Sequence, residues 1–301
     1  MYKTKKIIIF IVISLILLSF SKIENTKTKI QSDIVETNRD SIRNEMKNYF
    51  DKIFELWYPL SIDSVAGGFF SDINYIWEVE GPQNKMIVTQ ARHVWAASNG
   101  YKFYNKNSLL KKVAVHGFKF LEDVMWDKDY GGFYDMVSRM GNPLRESGKI
   151  IKKAYGNAFA IYGLAEYYNV FGDTSALNLA IKTFYWLEKN SYDPEYGGYF
   201  QFLSRNGKPF IEEYMNTPPK DQNSSIHILE CFTELYCVWS NELLNKRLNS
   251  LFNIIRDTMV GEKGYLTLYF QRDWTPISFK NSGLLQQRRN IMIDHISFKN
   301  N

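Results

Sequence analysis

The chain has 301 residues, of which 45% are hydrophobic and 23% are charged, values that are typical of a globular protein with a large core. Much of its formal net charge of +5 comes from Lys3, Lys5 and Lys6, and the near-neutral remainder gives no indication of a nucleic-acid partner. Aromatic residues make up 16% of the chain, and aromatic rings both fill cores and stack on the apolar faces of sugars.

The N-terminus combines a basic start with the apolar run IIIFIVISLILLSF at residues 7–20. This pattern predicts a secretory signal peptide, with an uncleaved anchor as the alternative, because the run is short of the ~20 residues of a membrane-spanning helix. We assign residues 1–22 to the signal peptide or anchor and residues 23–36 to a polar linker. The protein is therefore expected to be exported, periplasmic or extracellular, and to touch a membrane only through this anchor.

A helical domain is predicted over residues 37–298, with residues 299–301 as a tail. Its first helix carries apolar residues at spacings of three and four, which predicts one stripe facing a core: Ile42, Met46, Tyr49, Phe50, Ile53, Phe54 and Trp57. Later helices are predicted to be capped at Ser108, Asp173 and Ser240, and Gly172 is predicted to end the helix before Asp173.

A repeat is the strongest internal signal in the chain. GGFF begins at Gly67, GGFY at Gly131 and GGYF at Gly197, which are 64 and 66 residues apart, and a weaker copy contains Gly264. Paired glycines followed by aromatics favour a tight turn into a short strand. The repeating unit is therefore a helix, a short hairpin and a second helix.

Such a unit cannot bury its own apolar face, so neighbouring units must stack into an open solenoid or a closed toroid. We favour an all-α toroid of helical hairpins, because the repeated turns carry aromatics rather than a solvated loop. The turns would then gather at one end of the ring, where a ligand can bind.

Metal chemistry is not indicated. No pair of the four histidines has metal-ligand spacing, and no metal site is expected. Cys231 and Cys237 would point in different directions on one helix, so we expect two free, buried thiols. His116 lies within an apolar helical run, where a structural role is favoured.

A polar row on one predicted helix is a candidate ligand site. Asn223 and His227 are four residues apart and therefore share a helix face, which Glu230 and Glu234 continue. A buried row of this kind needs a polar partner, which a polyhydroxylated ligand would supply; the alternative is a row that faces solvent.

Two other residues could contact the same ligand. Arg92 could donate hydrogen bonds to sugar hydroxyls, or could be a surface charge. Tyr155 lies at a predicted helix start, which places it at the hairpin end of a toroid, or it could belong to the core.

Five segments of the chain resemble the N-acylglucosamine 2-epimerase superfamily, and most closely its cellobiose or mannobiose 2-epimerase branch. The resemblance covers Asn38 to Phe298 and is carried by these segments: GGFFSDINYIWEVEGPQNKMIVTQARHVWAAS, YGNAFAIYGLAEYY, DQNSSIHILECFTELY, LTLYFQRDWTP and DHISF.

This resemblance implies an (α/α)6 barrel that inverts carbon 2 of a reducing-end aldose through an enediol, without a cofactor. Two groups that exchange protons near neutral pH are needed, and histidine is suited to that role. The resemblance implies that Arg92, Tyr155, Asn223 and His227 contact a small carbohydrate substrate. It also gives His227 a supporting catalytic role.

The chain departs from the family pattern at its C-terminus. In the family, the block that matches Asp294–Phe298 runs into Gly-His-Asp, and that histidine is one of two acid/base residues; here Lys299 follows Phe298. Neither acid/base histidine has a counterpart. Six units of ~65 residues need ~390 residues, and the chain suffices for about four. We therefore expect a C-terminally truncated, incomplete toroid without epimerase activity.

Two other functions stay open from the sequence. One is a non-catalytic carbohydrate-binding protein that uses the same cleft. The other is a glycoside hydrolase on a similar toroid, which would need two opposed carboxylates. Asp193 and Glu195 are candidates for that pair, although their position in the repeated turn favours a structural role.

Overall fold

The computed structural model describes residues 38–104, 106–261 and 264–277, together with the backbone of residues 295–296. The chain divides into two compact units, Met1–Pro59 and Leu60–Asn301. The predicted leader, linker and tail, and the boundaries at residues 22, 36 and 298, lie outside the described residues and stay predictions. Among the helices of the described residues, none is long and apolar enough to cross a membrane.

Helix α1 spans residues 38–60, and most of its predicted apolar stripe is exposed. Ile42, Met46, Tyr49, Phe50 and Ile53 are between 53% and 61% exposed. The prediction that this stripe faces a core is therefore wrong for these five side chains. Spacing shows that apolar residues share a face, but it does not show that another element covers that face.

In the described part of the second unit, six further helices form an inner and an outer layer. The inner helices pack side by side, and each outer helix packs on the inner helix before it. Helices α3 and α7 each continue into one π-helical turn, at Leu121–Met125 and Ile255–Met259. The inner helices are α2 (Ile87–Phe103), α4 (Ala154–Phe171) and α6 (Gln222–Val238), and the outer helices are α3 (Ser108–Phe120), α5 (Thr174–Asn190) and α7 (Glu242–Ile254).

Helix termini follow the predicted capping chemistry with small shifts. Gly172 ends α4 in the left-handed conformation, and Asp173 caps α5 by accepting a hydrogen bond from the Ser175 backbone N–H at 2.9 Å, as predicted. The caps of α3 and α7 are Asn107 and Asn241, each one residue away from the predicted serine. The Asn107 side-chain oxygen accepts hydrogen bonds from the Leu109 and Leu110 N–H groups, and the Asn241 oxygen accepts one from the Leu244 N–H.

Short antiparallel strands join successive repeats. The strand before each inner helix pairs with the hairpin of the following repeat, and the three pairs share one register: Lys85 opposite Val137, Lys152 opposite Leu203, and Lys220 opposite Phe270. The pairs are β1 (Lys85–Met86) with β2 (Met136–Val137), β3 (Ile151–Lys153) with β4 (Phe202–Ser204), and β5 (Lys220–Asp221) with β7 (Tyr269–Phe270). A further pair joins β6 (Leu266–Thr267) to β8 (His295–Ile296).

The glycine pairs are required by both conformation and space. Gly131 and Gly132 have φ angles of +66° and +70°, which L side chains rarely adopt. A Cβ on Gly132 would also lie 2.6 Å from Cε2 of Trp186 in α5. The predicted tight turn is confirmed, and the outer helix packs directly on its backbone.

A buried ion cluster, here called a clasp, fastens each repeat to the next. In the second clasp, Lys152 Nζ lies 2.9 Å from Asp127 Oδ2, and Arg205 donates to both Asp127 oxygens at 3.0 and 3.2 Å. The Lys152 and Asp127 side chains are 0% exposed. The other clasps are Asp63–Lys85–Arg139 and Asp193–Lys220–Arg272.

The two cysteines are both free, as predicted, but only one is buried. Cys231 lies on the buried face of α6 with Ile228 and Leu235, whereas Cys237 is exposed near the end of the helix. The prediction that both thiols are buried is therefore wrong for Cys237. Its angular offset from Cys231, which prevents pairing, also turns it away from the core.

Candidate functional site

The inner helices place equivalent repeat positions in direct contact. Arg92, Phe159 and His227 each follow a clasp lysine by seven residues, in α2, α4 and α6. The Arg92 guanidinium lies 4.6 Å from the centre of the Phe159 ring, and the Phe159 and His227 rings are 4.7 Å apart. The three side chains therefore form one continuous row, here called the first row.

Two more rows follow along the helices. Trp95, Tyr162 and Glu230 form the second row, in which the Trp95 and Tyr162 rings stack 5.3 Å apart at 15°. Glu166 and Glu234 occupy the third row, where burial and then the neighbouring Glu166 raise the pKa of Glu234. The surface that these three rows form is here called the wall. Along the helices, the wall changes from aromatic and basic to acidic.

Tyr155 joins the first row from the start of α4. Its ring meets the His227 ring edge-on at 5.1 Å and the Phe159 ring edge-on at 5.0 Å. Arg92, Tyr155 and His227 are therefore brought together around Phe159. Asn223 lies one turn before His227 on α6 and is exposed. The substrate-binding roles of these four residues stay predictions.

Among the histidine side chains that the structure describes, His227 is the one that lies in this wall. Its Nδ1 lies 2.6 Å from Glu230 Oε2, and its side chain is 21% exposed.

The other described histidine side chains are engaged elsewhere. His93 is buried and stacks on Phe69 at 4.0 Å, and burial lowers its pKa to about 4. His116 Nε2 donates to the Gly68 carbonyl at 2.7 Å, so its predicted structural role is confirmed. The side chain of His295 lies outside the described part of the chain.

Phe159 is a wall residue that sequence reasoning missed. It lies between Arg92 and His227 and contacts both. Its signal was present, because it follows Arg92 by 67 residues and precedes His227 by 68, close to the repeat period. Aligning the inner helices on the repeat, rather than reading each helix alone, would have found it.

The hairpin end of the unit is concave. A cavity of about 280 Å³ lies at the starts of α2 and α4, lined in part by Met86, Glu146 and Lys153. Lys153 Nζ lies 3.0 Å from Asp135 Oδ2 on its wall.

The carboxylates considered for glycoside hydrolysis are held by cations. Asp193 is buried in the third clasp, and Glu195 lies 3.0 Å from Arg272. Burial alone would raise the pKa of Asp193, but hydrogen bonds from Arg272 and Lys220 lower it to about 2. The favoured structural role is confirmed for Asp193.

Metal ligands are not grouped in the described part of the chain. Among residues 38–104, 106–261 and 264–277, no cluster of three or more histidine, cysteine, aspartate or glutamate side chains could hold a metal ion.

Comparison with known proteins gives one family. The model of the N-acylglucosamine 2-epimerase (GlcNAc 2-epimerase) family matches residues 68–289. A cellobiose 2-epimerase of Bacteroides fragilis is 29% identical over 239 residues, which are 77% of this chain and 60% of the relative. A cellobiose 2-epimerase of Ruminococcus albus is 33% identical over 211 residues, 69% of this chain and 52% of the relative. The chain thus spans between half and two thirds of the length of these curated relatives.

Solved structures agree on the architecture. The cellobiose 2-epimerase of Spirochaeta thermophila matches with a TM-score of 0.72 and 32% identity, over 79% of this chain and 59% of that one. A D-mannose isomerase matches with a TM-score of 0.67 at 20% identity, over 78% of this chain and 58% of that one, and supports the fold alone. The predicted all-α toroid of (α/α)6-barrel type is confirmed.

Proposed function

Because this chain belongs to the N-acylglucosamine 2-epimerase family, as its motifs predicted, we propose that its first row binds the reducing-end aldose of a disaccharide such as cellobiose or mannobiose. The observation that carries the proposal is the convergence of Arg92, Tyr155 and His227 around Phe159. The curated relatives, which are cellobiose 2-epimerases, support a disaccharide over N-acetylglucosamine.

The chemistry that suits this wall is inversion at carbon 2. The hydrogen on carbon 2 lies beside the aldehyde of the open-chain sugar, so its removal gives an enediolate, and reprotonation on the opposite face gives the epimer. Arg92 donates hydrogen bonds to the charged oxygen that develops. Tyr155 and Asn223 orient hydroxyl groups, and His227 acts as a supporting proton carrier.

Inversion needs proton-transfer groups on both faces of carbon 2. Of the three histidine side chains that the structure describes, His93 and His116 both pack on Phe69, which leaves His227 in the wall. The proposed function of residues 1–301 by themselves is therefore sugar binding without epimer formation. The same observation favours the second candidate, a carbohydrate-binding protein.

A titration with cellobiose, followed by NMR, tests the proposal. The purified chain is expected to bind cellobiose saturably and to form no glucosyl-mannose. Arg92→Ala removes the donor fork and should weaken binding about tenfold or more. The matched control is Arg256→Ala, because Arg256 is an exposed arginine of the outer π turn that pairs with its neighbour Asp257.

Three outcomes of that titration would contradict the proposal. Absence of binding, or equal weakening of binding by Arg92→Ala and Arg256→Ala, would show that the sugar does not bind at the first row. Appearance of glucosyl-mannose shows that the chain supplies both proton-transfer groups and overturns the absence of turnover.

Export is a separate part of the proposal. It is supported by the basic start and the apolar run at residues 7–20. Expression of the full chain followed by N-terminal sequencing of the exported fraction tests it. Retention of the whole chain in the cytosol would contradict it.

A further inference from the structure

Glu230 departs from the pattern of the wall on which it lies. In the second row, α2 and α4 contribute the stacked rings of Trp95 and Tyr162, whereas α6 contributes a carboxylate that is 54% exposed. The first row changes in the same helix, from Phe159 in α4 to His227 in α6. The aromatic pair Phe159 and Tyr162 of α4 therefore corresponds to the histidine–glutamate pair His227 and Glu230 of α6.

This pair is held in a defined geometry. Glu230 Oε2 lies 2.6 Å from His227 Nδ1, one helical turn away. The imidazole also lies against two rings of α4, with Tyr155 edge-on at 5.1 Å and Phe159 tilted at 4.7 Å. Packing fixes the plane of the imidazole, and the carboxylate selects one of its two nitrogens.

The hydrogen bond also fixes where the imidazole proton lies. A carboxylate only accepts hydrogen bonds, and a neutral imidazole carries one N–H, so a bond to Glu230 places that proton on Nδ1. Nε2 then carries the lone pair. In the described part of the chain, the bond to Glu230 is the hydrogen bond that the imidazole makes.

We propose that Glu230 is a positioning residue that holds His227 in the Nδ1–H form, with Nε2 available to a hydroxyl group of the bound sugar. The inference rests on the proposed function, in which the first row lines the sugar site. Nε2 accepts a hydrogen bond from the hydroxyl in this form. If His227 takes up a second proton, Glu230 stabilises the resulting cation through a charge-assisted hydrogen bond.

The test uses the full chain with histidine rings labelled with ¹⁵N, at about pH 8, where an ordinary histidine is neutral. The His227 signals are assigned from their loss in His227→Gln. We expect the Nδ1–H form in the wild type and a shift towards the Nε2–H form in Glu230→Ala. Glu230→Gln keeps an acceptor oxygen and should retain part of the Nδ1–H form. Glu45→Ala, at an exposed position of α1, should change nothing.

Cellobiose is then added to the wild type and to Glu230→Ala. The His227 Nε2 signal of the wild type should move on binding, and the affinity of Glu230→Ala should be about tenfold lower. An Nε2–H form in the wild type, or an unchanged tautomer in Glu230→Ala, overturns the inference. So does an unchanged affinity in Glu230→Ala. Cellobiose that leaves every His227 signal unmoved contradicts the proposed function instead, because the tautomer is measured without sugar.

Discussion

At the scale of single residues, the clasps show how this fold tolerates buried charge. The Asp127 carboxylate accepts hydrogen bonds from Lys152 and Arg205 and also from the backbone N–H groups of Asp129 and Tyr130. Burial alone would raise the pKa of Asp127, but the bonds from Arg205 and Lys152 lower it to about 2. Burial lowers the pKa of Lys152, and Asp127 offsets part of that effect.

Breaking a clasp should therefore destabilise the protein strongly. Asp127→Asn leaves the buried Lys152 ammonium without its counter-ion, and the free energy of unfolding should fall by about 3–5 kcal/mol. Urea unfolding measures the change. The control is Asp129→Asn, which removes a 69% exposed partner of the same Arg205 and should cost less than about 1 kcal/mol. Equal effects of the two substitutions would contradict the role of the clasp.

The sequence alone points to the candidate site residues but not to the clasps, and the reason is physical. Arg92, Asn223 and His227 lie in local motifs that can be read along one helix. The members of a clasp are separated by 22 to 79 residues, so no local pattern joins them. Their signal is the recurrence of Lys85, Lys152 and Lys220 at almost equal intervals.

At the scale of elements, the N-terminus of α6 differs from those of the other helices. Its cap, Asp221, is 8% exposed and accepts a hydrogen bond from the Ser224 N–H at 3.2 Å. Burial raises the pKa of Asp221 from 3.8 to about 6, and the bonds from Ser224 only partly oppose it. The first turn of α6, which carries Asn223, therefore begins at an acid that titrates just below neutral pH.

This cap predicts a pH dependence of stability. The folded-state pKa of Asp221 lies above its unfolded value, so the folded state binds more protons between about pH 4 and pH 6. Its contribution to the free energy of unfolding should fall by up to about 3 kcal/mol as pH rises through that window. Asp221→Asn keeps the cap and should remove this slope, measured by urea unfolding across the window.

The clasps give the matching control because their sign is opposite. The pKa of Asp127 and of Asp193 is lowered to about 2, so their stabilisation is present above about pH 4 and is lost as pH falls towards 2. Asp173→Asn, at the cap of α5, should leave the slope between pH 4 and pH 6 intact. A slope that survives in Asp221→Asn would contradict the assignment to this cap.

Element types were easier to predict than element partners. The sequence predicts the glycine pairs and the junction at Gly172 and Asp173 correctly, because φ preference and capping are local properties. The pairing of β3 with β4 in the following repeat was not predicted, since it joins residues about fifty apart in the chain. The burial of the α1 stripe cannot be predicted from local spacing either, because it depends on contacts with residues distant in the chain.

At the scale of the whole molecule, the prediction of the fold depends mainly on the repeat period. It indicated that similar units stack, and the structure shows that equivalent positions then meet, as in the row of Arg92, Phe159 and His227. The fourth hairpin, which contains Gly264, departs from this regularity. It supplies Arg272 to the third clasp, but Gly261 stands where the earlier hairpins carry the clasp aspartate. The described repeats are therefore joined by three clasps.

A crystal structure of the chain soaked with cellobiose tests the central claim most directly. The reducing-end ring is predicted to lie on the first row, with its hydroxyl groups within ~3 Å of the Arg92 guanidinium and of His227 Nε2. A disaccharide bound in the hairpin-end cavity beside Lys153, with the first row empty, would contradict the account.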